Sequence, residues 1–145
     1  MKSKLSNVAV FVYGTLKPGE ANYAAYCGTK VVSQVTAYTR GSLYALPMGY
    51  PAMSKGESKV YGFLLTFDDS SILASLDQLE GYHEQRTPDL NEYERQLTLV
   101  YNHSDRPIGL AWAYYMTTTK IKQQRGKKVS SGCWTRSLNI FQNSS

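Results

Sequence analysis

Apolar, β-branched and aromatic residues gather in six short runs, near 7–13, 31–37, 41–46, 59–67, 94–102 and 109–116, with Gly, Pro and Asn separating several of them. Each run predicts a strand. Helical spacing is clearest in "SSILASLDQLEGY" (70–82), and a second helix is predicted over "NYAAYCG" (22–28), after the turn at Pro18-Gly19. Strands outnumber helices and do not alternate regularly with them, which predicts an α+β domain with a mixed or closed sheet rather than a doubly wound one. The stretch "HEQRTPDLNE" (83–92) is too polar for either class and reads as a surface loop. No internal repeat is present, and the Thr/Lys/Gln stretch 117–128 is the one mildly biased segment.

Composition adds bounds. A chain of 145 residues is expected to form one domain over 1–145, with a core over about 7–136 and a flexible C-terminal tail. Apolar residues make up 42% and charged residues 19%, an ordinary globular balance. Twelve tyrosines against four phenylalanines predict a core or cleft with many hydroxyls that need partners. The start Met-Lys-Ser-Lys looks like the charged end of a signal peptide, but the apolar run Val8–Val12 is too short to continue one and nothing nears a membrane span. Cys27 and Cys133 lie far apart without metal-like spacing, so free thiols in a reducing cytoplasm are expected.

Charge is unevenly placed. Residues 106–145 contain no acid and seven cations (Arg106, Lys120, Lys122, Arg125, Lys127, Lys128 and Arg136), which leaves residues 1–105 with −2 of the net +5. Five of those cations crowd into "KIKQQRGKK" (120–128), which could follow nucleic-acid phosphates. No aromatic residue is interleaved there for base stacking, so a solvated, mobile loop is the expected state.

The helix supplies the first chemical candidate. At 100° per residue Ile72, Leu73, Leu76 and Leu79 share one stripe, and Glu80 falls on it between Leu73 and Leu76, while Asp77 and Gln78 point elsewhere. A carboxyl on a core-facing stripe near a helix C-terminus is desolvated and meets the negative end of the helix dipole, so its pKa rises toward that of a general base at neutral pH. The alternative is a helix that frays at Gly81 and releases Glu80 to solvent. Immediately beyond lie His83 and Glu84, which read as loop residues, and His103 in "NHSD" reads as part of a hairpin turn.

The opening turn supplies the second. The strand-like run "FVY" stops at Gly-Thr-Leu-Lys-Pro-Gly (14–19), where successive backbone N–H groups can converge on a carboxylate or a developing oxyanion. Plain hairpin chemistry is the other reading. The Gly-Lys-Ser/Thr ending of a nucleotide-phosphate loop is absent.

Both candidates lie inside a larger pattern. "YGTL" (13–16), "GSLYALPMGYPAM" (41–53), "VYGFLL" (60–65), "LDQLEGY" (76–82), "YERQ" (93–96) and "SGCW" (131–134) together resemble the γ-glutamylcyclotransferase-like superfamily, in its order and across roughly 8–134. The resemblance implies a small mixed β-barrel with flanking helices, and an enzyme that needs neither metal nor cofactor. It implies cyclisation of a γ-glutamyl group to 5-oxoproline, with Glu80 as general acid and base and Tyr13, Gly14, Thr15 and Leu16 holding the substrate, mostly through backbone amides. Tyr115, ending "LAWAYY", is a further candidate for a hydroxyl contact. Thr15 with "LKPGE" looks closer to the branch acting on γ-glutamyl amines, or removing γ-glutamyl groups during antibiotic assembly, than to the glutathione-degrading branch. Cys133 stands where the family usually has an acid, which bears on a structural contact at that end. Two other readings are a non-catalytic domain that binds a small ligand on the same fold, and a nucleic-acid-associated protein using 120–128.

Overall fold

The computed structural model describes residues 7–20, 22–83, 85–86 and 90–135. Glu84, Arg136, the start at Met1 and the tail beyond Thr135 lie outside the described residues.

Among the described residues, six strands and three helices follow one another as β1 (Val8–Val12), α1 (Tyr23–Tyr26), β2 (Val31–Ala45), β3 (Pro51–Phe67), α2 (Ile72–Leu79), β4 (Glu94–Tyr101), β5 (Pro107–Tyr115), α3 (Thr118–Gln123) and β6 (Lys127–Lys128). The sheet order is β3-β1-β5-β4-β2-β6, and β2 also pairs with β3, so five strands close into a ring. β1 and β5 run parallel through Val10 and Trp112, and the other pairings are antiparallel. The α+β class and the small mixed barrel are therefore present.

Period-two alternation sorts the strands onto two cores. On β1, Phe11 joins one buried cluster and Val10 and Val12 the other; on β5, Ala111, Ala113 and Tyr115 oppose Trp112 and Tyr114. The first set meets Leu43, Met53, Val60 and Val100 inside the ring. The second is covered by the helices through Ile72, Leu76, Cys27 and Ile121. Small alanines on the inner side let the ring close, and large residues on the outer side give the helices a surface to bury.

Three expectations need correction. The runs 31–37 and 41–46 are one strand, β2, whose break is a register shift at Gly41/Ser42. The strand expected at 59–67 begins at Pro51, because Pro51–Ser54 pairs with Ser42–Ala45 beyond that irregularity. The stretch 117–128 is not an open loop: Thr117 caps α3 by accepting from the Lys120 N–H, Ile121 is buried, and β6 pairs with the end of β2. A tertiary contact overrode weak local propensity in each case.

No helix of the described residues is long and apolar enough to cross a membrane.

Candidate functional site

Glu80 is positioned by the way α2 stops. Its own N–H still donates to the Leu76 carbonyl, then Gly81 turns into the left-handed region at φ 68°. The Tyr82 N–H returns to the Asp77 carbonyl at 2.9 Å and the Gly81 N–H to Gln78 at 3.3 Å, the paired bonds of a Schellman cap. The helix therefore ends in a fixed turn rather than fraying, and Glu80 stays on the stripe of Ile72 and Leu76. A Cβ at position 81 would sit 3.0 Å from the Glu92 Cβ at a backbone angle that side chains disfavour. Gly81→Ala is expected to cost about 1–2 kcal/mol of stability, seen as a lower melting temperature.

The signature turn faces the same space. The Lys17 N–H closes a β-turn on the Gly14 carbonyl at 3.0 Å, and the Thr15 and Leu16 N–H groups find no backbone acceptor among the described residues. Asn22 clamps this turn twice: its N–H donates to the Thr15 carbonyl at 2.8 Å and its side-chain amide to Thr15 Oγ1 at 2.9 Å. Gly14 is required by close approach, since a Cβ there would lie 2.6 Å from Pro51 Cγ. From below, the buried Lys17 ammonium donates to the Trp134 carbonyl, so "SGCW" holds the turn from the C-terminal end. Cys133 is exposed beside that contact.

These parts enclose a cavity of about 280 Å³. Tyr13, Gly14, Thr15, Leu16 and Glu80 line it together. Tyr115 does not: its ring packs inside the barrel, whereas Tyr114, on the opposite face of β5, reaches the cavity. Reading the strand by its alternation of Ala111 and Ala113 with Trp112 and Tyr114 would have found this. Asn22, Tyr50, Glu92 and Tyr93 complete the polar lining, and none of them was singled out from the sequence. His83 is exposed and His103 stacks on Tyr61; neither lines the cavity.

The loop before β4 is not simply a polar surface excursion. Asn91 is only 2% exposed, accepts from the His83 N–H at 2.9 Å, and donates to Glu94 at 2.8 Å. Lys120 of α3 donates to the Asn91 carbonyl. Glu92, next in the chain, donates its N–H to the Gly81 carbonyl at 3.0 Å, which sets its side chain beside Glu80.

Electrostatics follow from burial. Desolvation first, and the neighbouring Glu92 second, push the Glu80 carboxyl from 4.5 up to about 8. It has no hydrogen-bond partner among the described residues, so nothing offsets the loss of water. Burial likewise drives the Tyr13, Tyr93 and Tyr114 hydroxyls well above their ordinary value, and Tyr50 up to about 12, so all four are neutral donors at physiological pH. Tyr13 donates to the Tyr114 carbonyl at 2.6 Å and Tyr93 to the Pro51 carbonyl at 2.7 Å, tying the rim together. Among the described residues no group of three His, Cys, Asp or Glu side chains could hold a metal ion.

Such a cavity brings a carboxyl of raised pKa together with two amide donors that have no backbone acceptor among the described residues. The model of the family described as "Gamma-glutamyl cyclotransferase, AIG2-like" matches residues 10–136. The chain belongs to that family. A relative in Vibrio cholerae serotype O1, named "Putative gamma-glutamylcyclotransferase", is 31% identical over 126 residues, covering 86% of this chain and 93% of its own. YkqA of Bacillus subtilis, named likewise, is 30% identical, and the match spans 88% of this chain but only 41% of that longer protein. The crystal structure of YkqA superposes with a TM-score of 0.63 at 27% identity, covering 88% of this chain and 39% of that one. The solution structure of At5g39720.1 from Arabidopsis thaliana reaches 0.65 at 23% identity, over 88% and 80%, a likeness of fold. In this γ-glutamyl cyclotransferase family member, Tyr13–Leu16 and Glu80 come from segments more than sixty residues apart and meet at one end of the barrel.

Proposed function

We propose that this protein releases 5-oxoproline and a free amine from a γ-glutamyl amine or γ-glutamyl amino acid, without a cofactor. The observation that carries this reading is that Glu80 shares one small cavity with the N–H groups of Thr15 and Leu16, none of which has a hydrogen-bond partner among the described residues, while burial raises the pKa of the Glu80 carboxyl.

The chemistry needs little else. The substrate's α-carboxylate or γ-carbonyl oxygen accepts from the Thr15 and Leu16 amides, which holds the chain folded back on itself. Glu80 takes one proton from the α-ammonium. The freed amine attacks the γ-carbonyl carbon and forms the ring C–N bond; Glu80 passes its proton to the leaving nitrogen as the amide C–N bond breaks, then takes the surplus proton from the ring nitrogen and hands it to the released amine, which departs as an ammonium and leaves Glu80 as it began. Orientation alone can contribute about 7–11 kcal/mol to such an intramolecular attack. Proton transfer by a base matched to the operating pH adds on the order of 10²–10⁴ in rate.

The test is 5-oxoproline release from a panel of γ-glutamyl amines, γ-glutamyl amino acids and glutathione. Turnover of the amine or amino-acid class above glutathione is expected. Absence of release from every member, with the fold intact, would replace this reading by that of a small-ligand-binding domain.

A further inference from the structure

The cyclisation above uses one carboxylate, yet the cavity holds two. Glu92 reaches it from the segment leading into β4 and is anchored at both ends of the residue. Its N–H donates to the Gly81 carbonyl at 3.0 Å, and its Oε2 accepts from the Tyr50 hydroxyl at 2.7 Å. A Cβ on Gly81 would stand 3.5 Å from Glu92 Oε1, so this side chain lies directly on the cap that places Glu80.

The groups facing Glu80 from the surrounding elements are the hydroxyls of Tyr13 after β1, Tyr50 before β3, Tyr93 before β4 and Tyr114 on β5, together with Glu92. On its own helix, Asp77 is paired with Arg95. The four hydroxyls are neutral, and no Lys, Arg or His lines the cavity among the described residues. Glu92 is thus the one charge that Glu80 meets across the cavity.

We propose that Glu92 is a positioning residue acting through Glu80: its anchored negative charge keeps on Glu80 the proton taken from the substrate's α-ammonium until the leaving amine receives it. This rests on the cyclotransferase reading. Two adjacent carboxylates resist being ionised together, so the state with Glu80 protonated and Glu92 charged is favoured, and proton loss from the ammonium becomes easier. The Tyr50 hydroxyl donates to Glu92 and holds it in place, and no comparable donor reaches Glu80 among the described residues.

Glu92→Gln keeps the shape and can still accept from Tyr50 through its amide oxygen. The acid limb of the kcat/KM profile is expected to move about one unit to lower pH. A base weaker by that amount lowers plateau kcat about threefold, with KM changed less than about twofold. Glu92→Asp, which keeps the charge, is expected to move the limb back toward that of the wild type. An acid limb unmoved in Glu92→Gln overturns the proposal. A second readout does not need turnover: the carboxyl ¹³C resonance of Glu80, identified by its loss in Glu80→Gln, is titrated in wild type and Glu92→Gln. A lower midpoint in the variant supports the proposal and an unchanged midpoint overturns it. Should the wild type release no 5-oxoproline from any substrate, the reaction reading falls, and with it the proton-holding step. The titration then still separates that failure from a lack of coupling between the two carboxyls.

Discussion

Glu80→Gln is expected to lower 5-oxoproline release by about 10²–10⁴-fold while making the folded protein more stable at neutral and alkaline pH. The two effects share one cause. An amide has the shape of the carboxyl but neither accepts the α-ammonium proton nor returns it, so the step that makes the nucleophile is lost. The stability gain comes from desolvation. Unfolded, this carboxyl ionises near its ordinary value of 4.5, whereas the folded protein holds it protonated up to about 8. Folding takes up a proton between those values, so the wild type loses stability as pH rises from about 4.5 to about 8, and above that the cost is constant. Glutamine carries no such cost. The variant's advantage should therefore be small at pH 5, grow through pH 6 and 7, and level off above 8, where it is on the order of 5 kcal/mol. Thermal melts of both proteins at pH 5, 7 and 9 give the answer. An advantage equal at all three would mean that Glu80 is not buried with its charge unpaired.

The second large effect is expected at Asp77, one helical turn before Glu80. Its Oδ1 accepts from Arg95 Nε at 2.8 Å and from the Tyr114 hydroxyl at 2.7 Å, joining α2 to β4 and β5. The pair is largely enclosed, with 12% of the Arg95 side chain and 19% of the Asp77 side chain exposed, and the Arg95 guanidinium lies 4.4 Å from the Trp112 ring centre. Asp77→Ala leaves a mostly buried cation and a buried hydroxyl without their acceptor. The expected cost is about 3 kcal/mol, near the lower end for breaking an enclosed ion pair, or roughly 10 °C in melting temperature for a chain of this size. Turnover should fall as well, since α2 then loses the tie that sets its C-terminus over the cavity. Tyr114→Phe removes one hydrogen bond and should cost only about 1 kcal/mol. If Asp77→Ala and Tyr114→Phe melt together, the ion pair is not what fastens the helix.

Local pattern determined a good deal about this protein. The stripe of Ile72, Leu73, Leu76 and Leu79, and the glycine after it, marked both the helix and a carboxyl on its buried side, because helical period and the left-handed stop are set within a few residues. The abrupt end of the apolar run 7–13 at Gly14 marked the turn for a similar reason, since a β-turn leaves its two central amide groups without a partner inside the turn. Short-range signals were misleading where long-range pairing outweighed them. The stretch between the runs 41–46 and 59–67 is not expected to be strand, yet Pro51 and Gly56 both lie within β3, because the β2 partner and a local irregularity absorb them. The segment 117–128 read as solvated charge, while Ile121 and the cap at Thr117 make it a packed turn of helix. What only the tertiary structure decided is the company Glu80 keeps. Glu92 stands beside it through one backbone bond to Gly81, Asn91 is buried to hold that loop, and Tyr114 rather than Tyr115 faces the cavity through the parity of one strand. The parity of that strand is written in its alternation, but the places of Glu92 and Asn91 do not follow from spacing along the chain, because each is a contact between segments whose relative position is set by closing the barrel.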